Sequence, residues 1–289
     1  MIVTFLDIVI AGLLMGGIYA LIAVGLNLQY GVAGVLNISH GEFIMIGAFG
    51  TWMLYETVGI NPLITLAMCG PVLFLIGFFL HKTLFRRLLN SSESADIFEA
   101  KSMLASFGLL FIIQNIAILS WGADIKSYSY LNSGVNLAGA LFAANRLVTL
   151  LFAVGICTVF YLFLAFTRMG KAIRAAAQDP RAAGLMGVNI NKVLALCFGF
   201  GALMAGFAGG LLSMCYPIMA TMGMEYTIIA IIVVVLGGMG SIVGSFIGGF
   251  LLGLIGSIVT YIEPGLALVS YYVIFIVLLL ARPTGILGK

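Results

Sequence analysis

From Ile8 to Leu28 the chain reads I-V-I-A-G-L-L-M-G-G-I-Y-A-L-I-A-V-G-L-N-L, with no Asp, Glu, Lys or Arg in the run. About 20 apolar residues in an α-helix rise far enough to cross a hydrocarbon core roughly 30 Å thick. The run is longer than the apolar core of a signal peptide, and no basic residue precedes it, the first charge being Asp7. It is therefore read as a retained span. Further apolar runs follow near 35–55, 62–81, 102–121, 146–166, 193–215 and 266–282. A longer one at 227–262 is interrupted by Gly237-Gly238-Met239-Gly240-Ser241 and crosses once or twice.

Composition extends this reading to the whole chain. Of 289 residues, 63% are hydrophobic and 8% charged. A soluble domain carries about 25% charged residues, so most of this surface faces lipid. The expected fold is all-α, a polytopic transmembrane bundle of about eight or nine spans with broken helices, in one domain over residues 1–289. No basic face interleaved with aromatics suggests nucleic-acid binding. Cys69, Cys157, Cys197 and Cys215 lie far apart in apolar segments and read as small apolar residues; no metal site is expected.

The basic residues set the orientation. Lys82, Arg86, Arg87 and Lys101 fall in 82–101; Arg168, Lys171, Arg174, Arg181 and Lys192 fall in 167–192; Arg282 and Lys289 close the chain. The positive-inside rule puts all three segments in the cytoplasm, and the Ser-, Tyr- and Asn-rich 122–145 loop outside. Counting along the chain then favours two crossings within 227–262.

Glycine is abundant, at 37 residues, nearly twice the usual share of roughly 7%. Gly240, Gly244 and Gly248, then Gly249 and Gly253, recur at four-residue spacing, which makes a flat stripe for another backbone. Packing within the chain is the simpler reading of Gly237, Gly238, Gly240, Gly244 and Gly248; a subunit interface is the sharper one.

Ionisable groups at membrane depth cost about 2.5–3.5 kcal/mol each at a helix centre, so Asn37-Ile38-Ser39-His40-Gly41-Glu42 stands out. One reading is a discontinuous helix in which Asn37, Ser39, His40, Gly41 and Glu42 contribute to a translocation path. The other is a helix start capped by Asn37 or Ser39, with Glu42 in the first turn. Asn27 and Gln29 are weaker candidates, Gln114 and Asn115 suit interhelical hydrogen bonds, and His81 is read as interfacial.

Residues 167–192 read as a short alanine-rich helix, a break at Pro180, a second short helix and a stop at Gly187. A plain connection would be shorter, so this loop suits a groove on a partner. Its repeated alanines give poor anchorage for an alternative as a lipid-surface helix.

At this loop a family resemblance appears. Gly170-x-x-x-Arg174-Ala175-x-Ala177, then Ala182-Ala183-x-Leu185-x-Gly187-Val188, resembles the cytoplasmic loop of branched-chain amino acid ABC transporter permeases. The likeness covers nearly the whole chain. It includes Gly25-Leu26-Asn27, Tyr30-Gly31-Val32, Asn37-x-Ser39-His40-Gly41-Glu42, Val235 to Ser241, and the closing Arg282-Pro283-Thr284-Gly285-Ile286-Leu287-Gly288. Its length and early Asn-x-Ser-His-Gly-Glu segment are similar to the shorter (LivH-like) of two sister permeases. The resemblance implies a permease of ABC importer type in a bacterial inner membrane. It would be paired with a sister permease as a heterodimer, with two cytoplasmic ATP-binding subunits and an external solute-binding protein. The 170–188 loop would then couple to the ATPases. ATP would be used by those partners, and no cofactor would bind this chain, which has no Gly-x-x-x-x-Gly-Lys-Ser/Thr phosphate loop. The implied solutes are branched-chain amino acids, or urea, short amides or organic acids. Two other classes have less in their favour. An ion-gradient-driven secondary transporter would want a carboxylate deep in a span, and a membrane enzyme would want a catalytic constellation beyond His40 and Glu42.

Overall fold

Backbone hydrogen bonds in lipid must be closed within the protein, and the chain meets this with helices that carry clear start and stop signals. The computed structural model describes residues 2–137, 140–282 and 284–287; Pro283, Gly288 and Lys289 of the closing stretch lie outside them. Helix α1 spans Ile2–Gly31, α2 His40–Val58 and α3 Pro62–Leu80. Asn61 caps α3 by accepting from the Leu63 N–H at 2.9 Å, with Pro62 in the first turn, where it loses no helical bond. Beyond Leu80 the chain continues through a π-helical turn, His81–Phe85, into α4, Arg86–Asn90. Then come α5 Ala95–Trp121, α6 Ala144–Phe166, α7 Arg168–Gln178, α8 Pro180–Leu185, α9 Ile190–Ser213, α10 Gly223–Gly237, α11 Ile242–Ile262 and α12 Ala267–Ala281.

Among the described residues, seven helices are long and apolar enough to cross a membrane. Helices α2 and α10 complete the bundle, and both are largely buried in it. The 227–262 run is two helices, split at 238–241, where Gly238 and Gly240 take positive φ. Ser241 caps the second of them by accepting from Gly244 N–H at 3.0 Å. The 15 residues of α10 rise only about 22 Å, short of a full hydrocarbon core. Of its two irregular flanks, 214–222 is mostly packed against protein, while 238–241 exposes Met239 and Gly240.

Helices α1, α2 and α9 form the centre, and glycines let their backbones touch. A Cβ at Gly25 would meet the Gly201 carbonyl, one at Gly47 the Gly206 backbone, and one at Gly209 the Ile44 carbonyl. Helix α11 lies along α1 in the same way, with Gly249 against Ala20 and Gly253 against Gly16. Gly244 and Gly248 face α10 at Gly237 and Val233, so this part of the stripe packs within the chain. Helices α3, α5, α6 and α12 surround this core and expose long apolar side chains such as Leu119 and Leu280, as lipid-facing helices do.

Four local expectations need correction. The 122–145 loop contains an antiparallel hairpin, β1 Gly134–Leu137 with β2 Ala140–Ala143, in which Val135 pairs with Phe142. Apolar residues alternating at its ends account for it. His81 is buried, not interfacial: its ring lies 5.9 Å from that of Phe198 and 6.5 Å from that of Phe85. Asn115 donates to the carbonyl of Phe111 in its own helix, at 2.8 Å, instead of bridging helices. Ser39 precedes α2 but makes no side-chain cap.

Candidate translocation site

The segment 32–39 leaves the end of α1 and runs back alongside it, so that α2 begins deep in the bundle. His40 Nε2 lies 3.1 Å from the Ile22 carbonyl, about 13 Å along α1 from Gly31 at a rise of 1.5 Å per residue. This irregular stretch is mostly buried by protein, the condition under which such backbone is tolerated at membrane depth. Ser106 on α5 holds it by accepting from Ile38 N–H at 3.1 Å and donating to the Leu36 carbonyl at 3.3 Å.

A directed chain of hydrogen bonds fixes the side chains. Ser39 donates through both N–H and Oγ to Asn37 Oδ1, at 3.1 and 2.7 Å. That turns Asn37 Nδ2 toward Gln29 Oε1, to which it donates at 3.0 Å. Gln29 Nε2 donates to the Phe198 carbonyl at 3.3 Å. Gln29 Oε1 therefore faces His40 Nδ1, at 3.1 Å, as an acceptor. The ring thus meets an acceptor on each side, Gln29 at Nδ1 and Ile22 at Nε2. A neutral ring has one hydrogen for these two acceptors; an imidazolium has one for each.

Gly41 and Glu42 meet the start of α10. The Gly41 N–H donates to Thr227 Oγ1 at 2.8 Å, and Thr227 donates in turn to the Ile38 and Gly223 carbonyls at 3.0 and 3.1 Å. Two discontinuous helices, α2 and α10, so point their N-termini at one another, and the positive ends of both dipoles converge. The Glu42 carboxyl lies against Gly223 at this junction. It is fully buried, and neither oxygen has a hydrogen-bond partner among the described residues. A buried polar group without a partner is costly, which marks Glu42 as a group whose partner comes from elsewhere or whose setting changes.

The glycine turn 238–241 is tied to the same end of α1. Asn27 Nδ2 donates to the Ser241 carbonyl at 3.0 Å and to Ser245 Oγ at 2.8 Å, and Gly240 N–H donates to Asn27 Oδ1 at 2.8 Å. The structure thus brings Asn37, Ser39, His40, Gly41 and Glu42 together with Gln29 and Thr227. Gly237, Gly238, Gly240, Gly244 and Gly248 stand apart, beside Asn27. Asn27 and Gln29, ranked low on sequence, are central. Their spacing from the 37–42 motif carries no periodic signal, and Thr227 is hidden in an apolar run.

The 167–192 segment forms a separate structure. Thr167 caps α7 by accepting from Gly170 N–H at 3.0 Å, and Asp179 caps α8 by accepting from Arg181 and Ala182 N–H at 2.8 and 3.0 Å. Gly187 ends the pair with φ of 86°. Gly170, Ile173 and Ala176 form the buried face of α7, with Gly170 against the Leu164 backbone, and Ala183 is buried in α8. Ala175 is half-buried. Arg174 donates to the Ala165 carbonyl at 3.0 Å. Because α7 spends its apolar face on its own bundle, none is left to lie on lipid. Arg174, Ala177 and Ala182 are exposed, and the tip presents Leu185 at 90% and Met186 at 86% exposure.

Comparison with known proteins agrees with this architecture. A family model described as "Branched-chain amino acid transport system / permease component" matches residues 8–281. The chain is 31% identical to the high-affinity branched-chain amino acid transport system permease protein LivH of Salmonella typhimurium, over 99% of this chain and 96% of the relative. It is equally similar, over the same shares, to the corresponding protein BraD of Pseudomonas aeruginosa. Among solved structures, PsaBC from Streptococcus pneumoniae in complex with Fab matches with a TM-score of 0.50 at 13% identity, covering 97% of this chain and 92% of that one. That last likeness speaks for the fold alone.

Proposed function

The chain belongs to the branched-chain amino acid transport permease family, and we propose that it carries branched-chain amino acids inward across a bacterial inner membrane. It is a multi-pass membrane permease subunit of an ABC importer. In the proposed assembly it pairs with a sister permease, receives solute from an external binding protein, and is driven by two cytoplasmic ATP-binding subunits. ATP is consumed on those subunits; this chain binds no cofactor and hydrolyses nothing.

The observation that carries the coupling reading is the α7–α8 pair. A well-capped helix–proline–helix unit, rigidly seated on α6, ends in two exposed apolar side chains, Leu185 and Met186. Exposed large apolar residues on a loop outside the bilayer suit a protein partner better than water. Arg174, Ala177, Ala182 and Gly187 would form the rest of the face offered to an ATPase groove, with Gly170, Ala175 and Ala183 holding it in place. Nucleotide-driven closure of the ATPases would then bias the bundle between two states. We place the solute path at the α2–α10 junction, lined by Asn37, Ser39, His40, Gly41 and Glu42, because two helix N-termini and an unpartnered carboxylate meet there.

The direct test is gentle purification of the tagged chain from its native membrane, followed by mass spectrometry and uptake of radiolabelled leucine in proteoliposomes. A sister permease and two ATPases in the preparation, with ATP-dependent uptake, is the expected result. Uptake by this chain alone, driven by an ion gradient, would reject the proposal.

A further inference from the structure

A second polar region opens on the side opposite the basic loops. A cavity of about 570 Å³ lies there, bounded by α1, α11 and α12 and by the starts of α6 and α10. Its size suits a small molecule, and its lining is unusual for a lipid-embedded protein. Arg146, Glu225 and Asp7 all border it, and all three are exposed. Charge of both signs is thus brought into one cavity without being neutralised. Among the described residues the only ion pair is Lys126–Asp124, at 3.9 Å, which involves none of these groups.

Glu225 has an ordinary place at the positive end of the α10 dipole, but Arg146 does not. Arg146 stands in the first turn of α6, next to the positive end of the helix dipole, where a cation is disfavoured. Among the described residues it makes no ion pair to offset this, and it shares the cavity lining with Tyr216. Glu225 stands in the first turn of α10 and shares the lining with Tyr271. Tyr19 and Tyr271, both buried, put their hydroxyls 3.3 Å apart in the lining. Gly256 leaves the space that the Tyr271 hydroxyl fills. The remaining wall mixes aliphatic residues such as Ile8, Met15 and Ile229 with the hydroxyl-bearing Ser257, Thr260 and Tyr261.

A cation, two carboxylates and aliphatic side chains in one cavity can receive a free α-amino acid with an aliphatic side chain, Glu225 being the carboxylate on α10 and Asp7 lying on α1. We propose that this cavity is an entry site for such a zwitterion, in which Arg146 takes the carboxylate and Glu225 the ammonium. The inference deepens the importer reading and rests on it for its role, although the site itself is defined by binding alone. It shares the start of α10 with the α2–α10 junction, and would hold the solute before that junction is reached.

The test is saturation-transfer NMR on the purified transporter complex, without binding protein, in phosphatidylglycerol nanodiscs, whose lipid carries no ammonium to compete. The probes are leucine, isopentylamine (ammonium only) and 4-methylpentanoate (carboxylate only). Loss of a hydrogen bond to a charged group corresponds to about tenfold or more in affinity. Arg146→Gln is expected to weaken leucine and 4-methylpentanoate by about that factor and to spare isopentylamine. Glu225→Gln is expected to weaken leucine and isopentylamine and to spare 4-methylpentanoate. A merely structural role would lower all three probes together, and that result, or wild-type leucine binding in both variants, overturns the site. Leucine uptake by the assembled importer with no leucine bound in this cavity rejects this inference and leaves the importer standing. The predicted binding pattern without any ATP-dependent uptake keeps the site and rejects the importer.

Discussion

Gly41 on α2 faces the carbonyl of Gly223 on α10 with no room for a Cβ, while its own N–H donates to Thr227 Oγ1 at 2.8 Å. The two helices therefore meet backbone to backbone at the point where both begin. At Gly41 the obstructing atoms are main chain and cannot rotate away, whereas at Gly223 a Cβ would meet the buried carboxyl of Glu42.

Gly41→Ala and Gly223→Ala are expected to destabilise the protein by about 1–3 kcal/mol through overpacking. Thermal unfolding of the detergent-solubilised chain, followed by fluorescence-detected size exclusion, checks this. Gly108 and Gly155, which have nothing within 4 Å of a built Cβ, are the controls. Alanine there should leave the midpoint unchanged or raise it, since glycine costs a helix up to about 1 kcal/mol relative to alanine.

Asn27 satisfies the glycine turn with three hydrogen bonds, to Gly240, Ser241 and Ser245. Asn27→Leu should cost about 1 kcal/mol or more by leaving the buried Ser245 hydroxyl and two part-buried backbone groups without this partner, and should loosen 238–241 selectively. Faster hydrogen exchange confined to that turn is the expected signature; uniform loosening of the bundle would contradict it.

Arg174→Glu, or Leu185→Asp at the exposed tip, should leave membrane insertion and abundance intact and abolish ATP-driven uptake. Normal leucine uptake in either variant would remove the coupling role from α7–α8.

Glu42 is fully buried in this conformation. In a chain freed of its four native cysteines, Glu42→Cys should resist small aqueous thiol reagents at rest and react once ATP is turned over. No reaction in any nucleotide state would take Glu42 off the solute path.

Much of this was legible in the sequence, for physical reasons that also mark the limit. Long uncharged runs announce spans, because nothing else accounts for them. The Thr167, Asp179-Pro180 and Gly187 signals announce α7 and α8, because caps and stops act within a few residues. The 37–42 motif declared itself by its charge. The role of Asn27 did not, since its partners lie 214 and 218 residues away and one buried amide resembles any other. Glu225 and Arg146 stand in the sequence at the edges of apolar runs, where a solvated charge is ordinary. Only the fold turns them toward one cavity. Likewise, the apolar 227–237 run shows no sign that its helix falls short of a full crossing, because hydropathy measures composition and not depth.

The glycine contacts in the centre also constrain how the molecule can move. Gly25 on Gly201, Gly47 on Gly206 and Gly209 on Ile44 put α1, α2 and α9 in direct backbone contact at three points, where no rotamer can act as a cushion. A displacement of one is handed to the next without slack, so the trio shifts as a single stiff block. The give must then be found where side chains still intervene, around the outer α5 and α6. In the proposed assembly, a thrust received at Leu185 would reach α6 through α7 and the block itself through α9, which begins at Ile190 just beyond the tip.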